Sequence, residues 1–436
     1  MPANGRLRGR MSLFNGDKLI LGYDLGNEFC QISYAMSDTG EVETISQIAG
    51  TESYNIPAVL CKRAGVNQWY YGKDALRYAE ENQGILVENL LGQALDGEPV
   101  IIEGESFDPV ALLALFFKRS LGLLTQVASS ERIGALMITC EMVDNRVLEV
   151  LNRMIVAVHL KTDKVYYQSH TESYYHYMLH QPRELWTNRS MLFDYRSSCV
   201  RVYRMESNRR TTPIVVFIDE AVHPFYEWEQ LPEEETLKER RISELDGAFL
   251  RIAEGAVGSQ VESVYLIGDG FEQEWMQDSL RFLCKGRRVF QGNNLFSKGA
   301  CYGMQERLGT GQTGKEFVFL GRDKLKANIG MQVLRQGEES YYALLDAGVN
   351  WYEAEHTMEF YIRDGNEITL RVTPLTGQNG KEAKIILEDF PGNIARLRAH
   401  FYLEAENLLV METQDLGFGE FRSSSRRVWQ EKIELY

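Results

Sequence analysis

The stretch Leu19-Ile-Leu-Gly-Tyr-Asp-Leu-Gly-Asn27 constrains this chain more than any other. A short apolar run ends in Asp24 and Gly26, and a second apolar run follows at once over residues 29–34. That spacing predicts a buried strand, a tight turn and a return strand. Gly26 lets the backbone approach a bulky neighbour, and Asp24 at the strand end is placed to reach a metal ion or its waters.

Further along, the same layout recurs. Extended segments at residues 41–49 and 54–60 lead to a helix that opens at Tyr71-Gly-Lys-Asp-Ala75. Phe107-Asp-Pro109 sets an Asp N-cap before a Pro in the first helical position. Residues 135–139 read as a continuous apolar strand, and Asp144 caps a helix with Val147, Leu151, Met154 and Val158 at helical spacing. A strand at 164–167 and a helix at 172–180 complete a parallel unit. Ser190-Met-Leu-Phe-Asp194 then begins again as a strand closed by an Asp, with strands at 199–205 and 213–218 behind it. A helix over 233–254, a strand over 261–267 ending in Gly268-Asp-Gly270, and a helix over 272–284 follow. Past Gly309-Thr-Gly-Gln-Thr-Gly314 the chain turns to short alternating strands separated by Gly and Asn. The expected fold is α/β with a duplicated lobe, followed by a small antiparallel β-domain. Its expected parts are a flexible tail at 1–18, a lobe at 19–308, a Gly-rich linker at 309–315 and a β-domain at 316–436.

Composition narrows the function classes. A formal charge of −15 gives no electrostatic footprint for nucleic acid and favours a protein or small-molecule partner. No apolar run approaches the length of a membrane span. The six cysteines are scattered without a Cys-x-x-Cys pair, which predicts reduced, buried thiols in a cytoplasmic setting.

The order of these segments resembles the seventy-kilodalton heat-shock chaperone (DnaK-type) family, within the wider actin-like ATPase superfamily. Gly22-Tyr-Asp-Leu-Gly26 resembles its first phosphate loop, and Met191-Leu-Phe-Asp194 the strand leading into its second. Tyr265-Leu-Ile-Gly-Asp-Gly270 resembles its adenosine loop, with Gly299-Ala-Cys-Tyr-Gly303 as the small-residue helix behind it. Leu387-Glu-Asp-Phe-Pro-Gly392 and Asp415-Leu-Gly-Phe-Gly-Glu420 resemble the end of its peptide-binding domain, without the helical lid. The resemblance implies an actin-like (ribonuclease H-like) ATPase lobe using ATP or ADP with Mg²⁺. Asp24 and Asp194 would hold the metal through its waters. Gly22, Asp24, Gly26, Asn27, Asp194, Ser197, Ser198, Gly268 and Gly270 would line the nucleotide. In an active enzyme Asp24, Asp194 and Glu172 would form the catalytic set.

Several positions depart from that pattern. Asn27 and Glu28 stand where the family has small hydroxyl residues, and Arg196-Ser-Ser-Cys199 stands where it has three glycines and a threonine. Glu88 replaces the catalytic lysine and Glu272 the arginine that stacks on adenine. Losing the glycines removes the clearance that a backbone phosphate cradle requires. The expected function is therefore a non-catalytic or weakly nucleotide-binding, chaperone-like pseudo-ATPase that binds protein or extended peptide through its β-domain. An active Mg-dependent ATPase is the alternative. The tyrosine runs at 166–167 and 174–177 read as core. His170, His176 and His180 share adjacent helical turns, but the sequence offers them no acidic or cysteine partner, so a metal site is not expected there.

Overall fold

A computed structural model describes residues 18–36, 40–48, 50–127, 132–162, 164–309, 316–363, 365–375, 379–390 and 394–436. The expected tail, apart from Lys18, and linker residues 310–315 lie outside the described residues. So do parts of the turns expected near 364 and 377. The chain divides into two compact units: Met1–Met205 with Asp219–Gly314, and Glu206–Ile218 with Lys315–Tyr436.

The first unit is mixed α/β; beside two six-stranded sheets it holds a three-stranded sheet, Trp69–Tyr71, Leu60–Arg63, Gly84–Val87, and the pair Val100–Ile102 with Glu105–Phe107. In one six-stranded sheet the order is Val165–Ser169, Ile133–Cys140, Leu19–Leu25, Phe29–Met36, Val42–Thr44, with Ile56–Pro57 also paired to Phe29–Met36. Leu19–Leu25 runs parallel to Ile133–Cys140 and antiparallel to its return strand Phe29–Met36. In the other sheet the order is Arg288–Gln291, Val261–Ile267, Arg189–Arg196, Cys199–Asn208, Ile214–Pro224, Phe317–Phe319. Counted in chain order, both sheets place their first five main strands as fifth, fourth, first, second, third. Asp24 lies opposite Thr139 and Asp194 opposite Ile267, each the last residue in its parallel register. The two carboxylates thus occupy equivalent positions.

Every residue of Leu19–Leu25 is buried, as a strand covered on both faces requires. Helix Leu295–Arg307 lies directly on it. A Cβ on Gly22 would sit 2.2 Å from the Ser297 carbonyl oxygen, and one on Gly299 would sit 1.9 Å from the Ser173 carbonyl oxygen. These glycines allow strand, helix Leu295–Arg307 and helix His170–Leu179 to approach at backbone distance. The caps read from the sequence are present: Asp108 Oδ1 accepts from the Val110 amide and Asp144 Oδ1 from the Val147 amide.

Three expectations need correction, and one strand falls where none was expected. The helix expected over 272–284 is a 3₁₀ turn, Asp269–Phe271, and a short helix, Asp278–Leu283. Between them Trp275 is buried and donates to the Gly270 carbonyl, while the Asp246 carboxylate collects the amides of Gln277, Asp278 and Ser279 and restarts the helix. The hairpin tip at 206–218 belongs to the second unit, because Ile214, Val215 and Val216 pair in parallel with Phe317, Val318 and Phe319. Residues after Glu420 include a strand, Val428–Glu434, paired along its length with Leu408–Asp415. Finally, Cys284 is exposed and Cys199 half-buried, whereas the other four cysteines are buried; all six are free thiols.

The second unit contains two four-stranded sheets, each paired antiparallel throughout. One orders Glu338–Leu345, Ala327–Arg335, Glu367–Pro374, Lys381–Ile386, and the other orders Glu355–Arg363, Ile394–Ala405, Leu408–Asp415, Val428–Glu434. Both contribute alternate residues, such as Leu370, Val372, Leu397, Phe401 and Met411, to one core. Among the described residues, no helix is long and apolar enough to cross a membrane.

Candidate functional site

Asp24 and Asp194 close their strands at a cleft of about 270 Å³ lined by the turn Leu25–Glu28, Leu91, Glu141, His170 and the 194–201 turn. Both carboxylates are almost wholly buried. His170 Nε2 hydrogen-bonds Asp24 Oδ1 at 2.7 Å, and the His170 ring stacks on Phe296 with centroids 3.9 Å apart. Arg196 Nε donates to Asp194 Oδ1 at 2.8 Å. The Arg196 guanidinium lies 4.6 Å from the ring centre of Phe29 and 5.6 Å from that of Phe296. Its Nη1 is 3.9 Å from where a Cβ on Gly26 would stand. Arg196 therefore reaches across the cleft from the second sheet to the first hairpin.

Burial pushes the Asp194 carboxyl above its ordinary value, and the Arg196 charge pulls it part of the way back. Burial disfavours the Arg196 charge, yet Asp194 and Asp24 outweigh it and hold the guanidinium above its usual range. Burial likewise raises Glu28 at the rim, opposed by Arg196. Outside this pair Arg201 is shared between Glu141, at 2.5 Å, and Glu220, at 2.8 Å.

The remaining expected site residues fall into four groups. Asn27 lines the cleft but spends its Oδ1 on the Gly92 amide, and Glu88 is exposed beside that turn. Ser197 and Ser198 are exposed, and their carbonyls accept from the Trp228 and Phe225 amides, so this turn is tied to its own hairpin. Ser197 adopts a left-handed φ of 49° without a glycine. Gly22, Gly268 and Gly270 serve packing. A Cβ on Gly268 would stand 2.3 Å from the Tyr195 carbonyl oxygen, and one on Gly270 would stand 2.0 Å from the Tyr195 ring. That ring belongs to an aromatic cluster with Phe225, Phe271 and Trp275. Glu172 begins helix His170–Leu179 in a Ser169-x-x-Glu172 capping arrangement and approaches His176 at 3.6 Å.

The histidines do have acidic partners, contrary to the sequence expectation: Asp24 for His170, Glu172 for His176 and Glu306 for His180. Each partner comes from another segment or the next helical turn. No group of three or more His, Cys, Asp or Glu side chains among the described residues is arranged to hold a metal ion. The residues do not fit the Mg-nucleotide that the resemblance implies. A guanidinium bonded to Asp194 takes the place of a divalent ion there, and the cleft falls below the about 300–1,000 Å³ of ordinary ligand pockets. Asp24 Oδ2 is left buried without a hydrogen-bond partner among the described residues.

A second polar chain joins the sheets at the side of the cleft. Gln31 Nε2 donates to Asn55 Oδ1 at 2.5 Å and to the Asn293 carbonyl at 2.6 Å, and Asn55 Nδ2 donates to Asp269 Oδ1 at 2.6 Å. Burial, helped by Glu272, pushes the Asp269 carboxyl up to about 6. Sequence reasoning missed Asn55 and Asp269 as partners, since they are far apart in the chain. Arg196 carried a readable signal: on a strand, a residue two places after Asp194 projects from the same face.

Comparison with known families places the chain. Residues 41–322 match the C-terminal part of a family of unknown function, DUF5716, and this match covers more than half of the chain. The chain belongs to the DUF5716 family. Residues 324–435 match a separate domain of unknown function, DUF8552. No curated protein matches the chain. The DUF5716 match takes in Asp194, Arg196 and His170, while Asp24 precedes it. The DUF8552 match lies within the second unit's 315–436 segment.

Proposed function

We propose that the DUF5716 region is a non-catalytic, actin-like (ribonuclease H-like) lobe, divergent from the DnaK-type chaperones, and that the chain acts in the cytoplasm by binding protein or extended peptide through its C-terminal β-domain. The observation that carries this reading is Arg196, an internal cation bonded to one of the two equivalent strand-end carboxylates and wedged between Phe29 and Phe296. The repeated strand order of the two sheets supports the actin-like assignment.

The β-domain offers a partner surface. Tyr361 stacks on Phe418 with centroids 5.9 Å apart, and Phe421 beside it is 98% exposed. The loop that presents Phe421 is hydrogen-bonded to Asp415 at several points. The buried Asp415 carboxylate accepts from the Gly417 and Ser425 amides and from Arg422, which also lies over the Phe418 ring. An aromatic side chain as exposed as Phe421 contributes to recognition rather than to folding.

Thermal unfolding with and without Mg-ATP or Mg-ADP tests the lobe. A ligand at a hundred times its Kd adds about 2.7 kcal/mol of stability, and the expected result is no shift beyond that of Mg²⁺ alone. The rival reading, a Mg-dependent ATPase, rests on the unpartnered Asp24 Oδ2. A clear nucleotide shift would decide in its favour.

A further inference from the structure

The larger cavity of the first unit is elsewhere, on the face of the second sheet that helix Glu235–Ala256 only half covers. It measures about 600 Å³, within the range of small-molecule sites, whereas the carboxylate cleft is less than half that size. Its origin is visible in the helix. Leu245, Phe249 and Ala253 project onto the strands Arg189–Arg196 and Val261–Ile267 and fill that side. The neighbouring stripe, Ala248, Ile252, Gly255 and Ala256, lines a space shared with strand residues Asp219, Glu220, Ala221, His223 and Pro224. The space between helix and strand is floored by Met191 and Val202 and walled by Phe225.

The polar groups at this cavity are not equivalent. Asp219 is taken by Arg204 at 3.1 Å, and Glu220 by Arg201 at 2.8 Å. Arg251 from the helix and His223 from the strand face the same space and have no hydrogen bond or ion pair with any described residue. An apolar chamber whose own carboxylates are already paired, and whose free polar groups are a guanidinium and an imidazole, selects for an apolar body with one anionic end.

We propose that this cavity binds a small apolar carboxylate, its body against Met191, Val202 and Ile252 and its carboxylate on Arg251, with His223 as a second donor. One ion pair links this site to the carboxylate cleft, Arg201 lining the cleft and Glu220 the cavity. The cavity gives the lobe a ligand of its own.

Isothermal titration of the full chain with phenylbutyrate, phenylbutanol and phenylbutylammonium tests this. Phenylbutyrate is expected to bind about tenfold more tightly than the alcohol, as one charge-assisted contact predicts, and the ammonium compound more weakly still. Arg251→Ala, an exposed position, should erase the preference for the acid, Arg251→Lys should restore part of it, and Ala248→Trp should remove binding of all three. Melting curves of the variants show that they remain folded; Arg251→Ala alone decides the matter where Ala248→Trp does not fold. Absence of phenylbutyrate binding, equal affinity for acid and alcohol, tighter binding of the ammonium compound, or binding unchanged in a folded Ala248→Trp would each overturn the proposal.

Discussion

Replacing Arg196 with methionine tests the central claim about the cleft. Asp194 is 2% exposed and the Arg196 side chain 17%, so the pair is shielded from water. Removing one partner of a buried pair leaves the other charge uncompensated and costs about 3–5 kcal/mol; the partial exposure of Arg196 places the expected loss near about 3 kcal/mol at neutral pH. Methionine keeps the apolar contact with Phe29, so the loss reports the charge. The dependence on pH follows from Asp194, whose carboxyl already sits above its ordinary value because of burial. A carboxyl raised on folding binds its proton more readily in the folded state. Its ionisation therefore leaves stability untouched below the unfolded value and lowers it as pH rises through the folded value. Without Arg196 the carboxyl rises further, so the deficit of the variant should be small near about pH 4 and grow to its full size near about pH 7.5. Urea unfolding, read by hydrogen exchange in peptides from Leu19–Leu25 and Arg189–Arg196, measures it. Adding Asp194→Asn to Arg196→Met should recover most of the loss, with a coupling of about 2 kcal/mol. A loss under about 1 kcal/mol at neutral pH, or the same loss at both pH values, would refute the reasoning.

Two further outcomes follow from the packing and the surface. Gly299→Ala should destabilise the first unit by about 1–3 kcal/mol in chemical unfolding, although alanine is the better helix former by about 1 kcal/mol, because the new methyl meets the Ser173 backbone; an unchanged or raised stability would contradict that contact. Phe421→Ser should leave stability within about 0.5 kcal/mol, since the side chain is exposed, while weakening capture of array-bound extended peptides by the full chain about tenfold; undiminished capture would move the partner surface elsewhere.

What the sequence discloses is local, and what it withholds is pairing between distant segments. The strand Val261–Ile267 ends in the apolar run Val264-Tyr-Leu-Ile267 and is bounded by Gly268, so its end is readable from residues alone. Asp108 and Asp144 are caps because a cap depends on its next three residues. Residues 272–284 mislead for the opposite reason: their helical spacing is real, but Asp246, on another helix, supplies the acceptors that begin the helix at Asp278. Val428–Glu434 alternates like an edge strand, yet nothing local separates that from a polar tail until Leu408–Asp415 pairs with it.

The cleft shows the same division. Residues 196–199, Arg-Ser-Ser-Cys, hold no glycine, which the sequence shows without saying what the arginine does. Its partners become visible only in the fold. Arg196 projects from the same face as Asp194, two residues along the strand, and the tight turn at Gly26 leaves room for its guanidinium beside Phe29. A guanidinium bonded to Asp194 satisfies a buried carboxylate that would otherwise be bare. The two equivalent aspartates each have a structural partner. One holds Arg196 and the other His170, and through Phe296, which stacks on His170 and lies under Arg196, they tie both sheets to helix Leu295–Arg307.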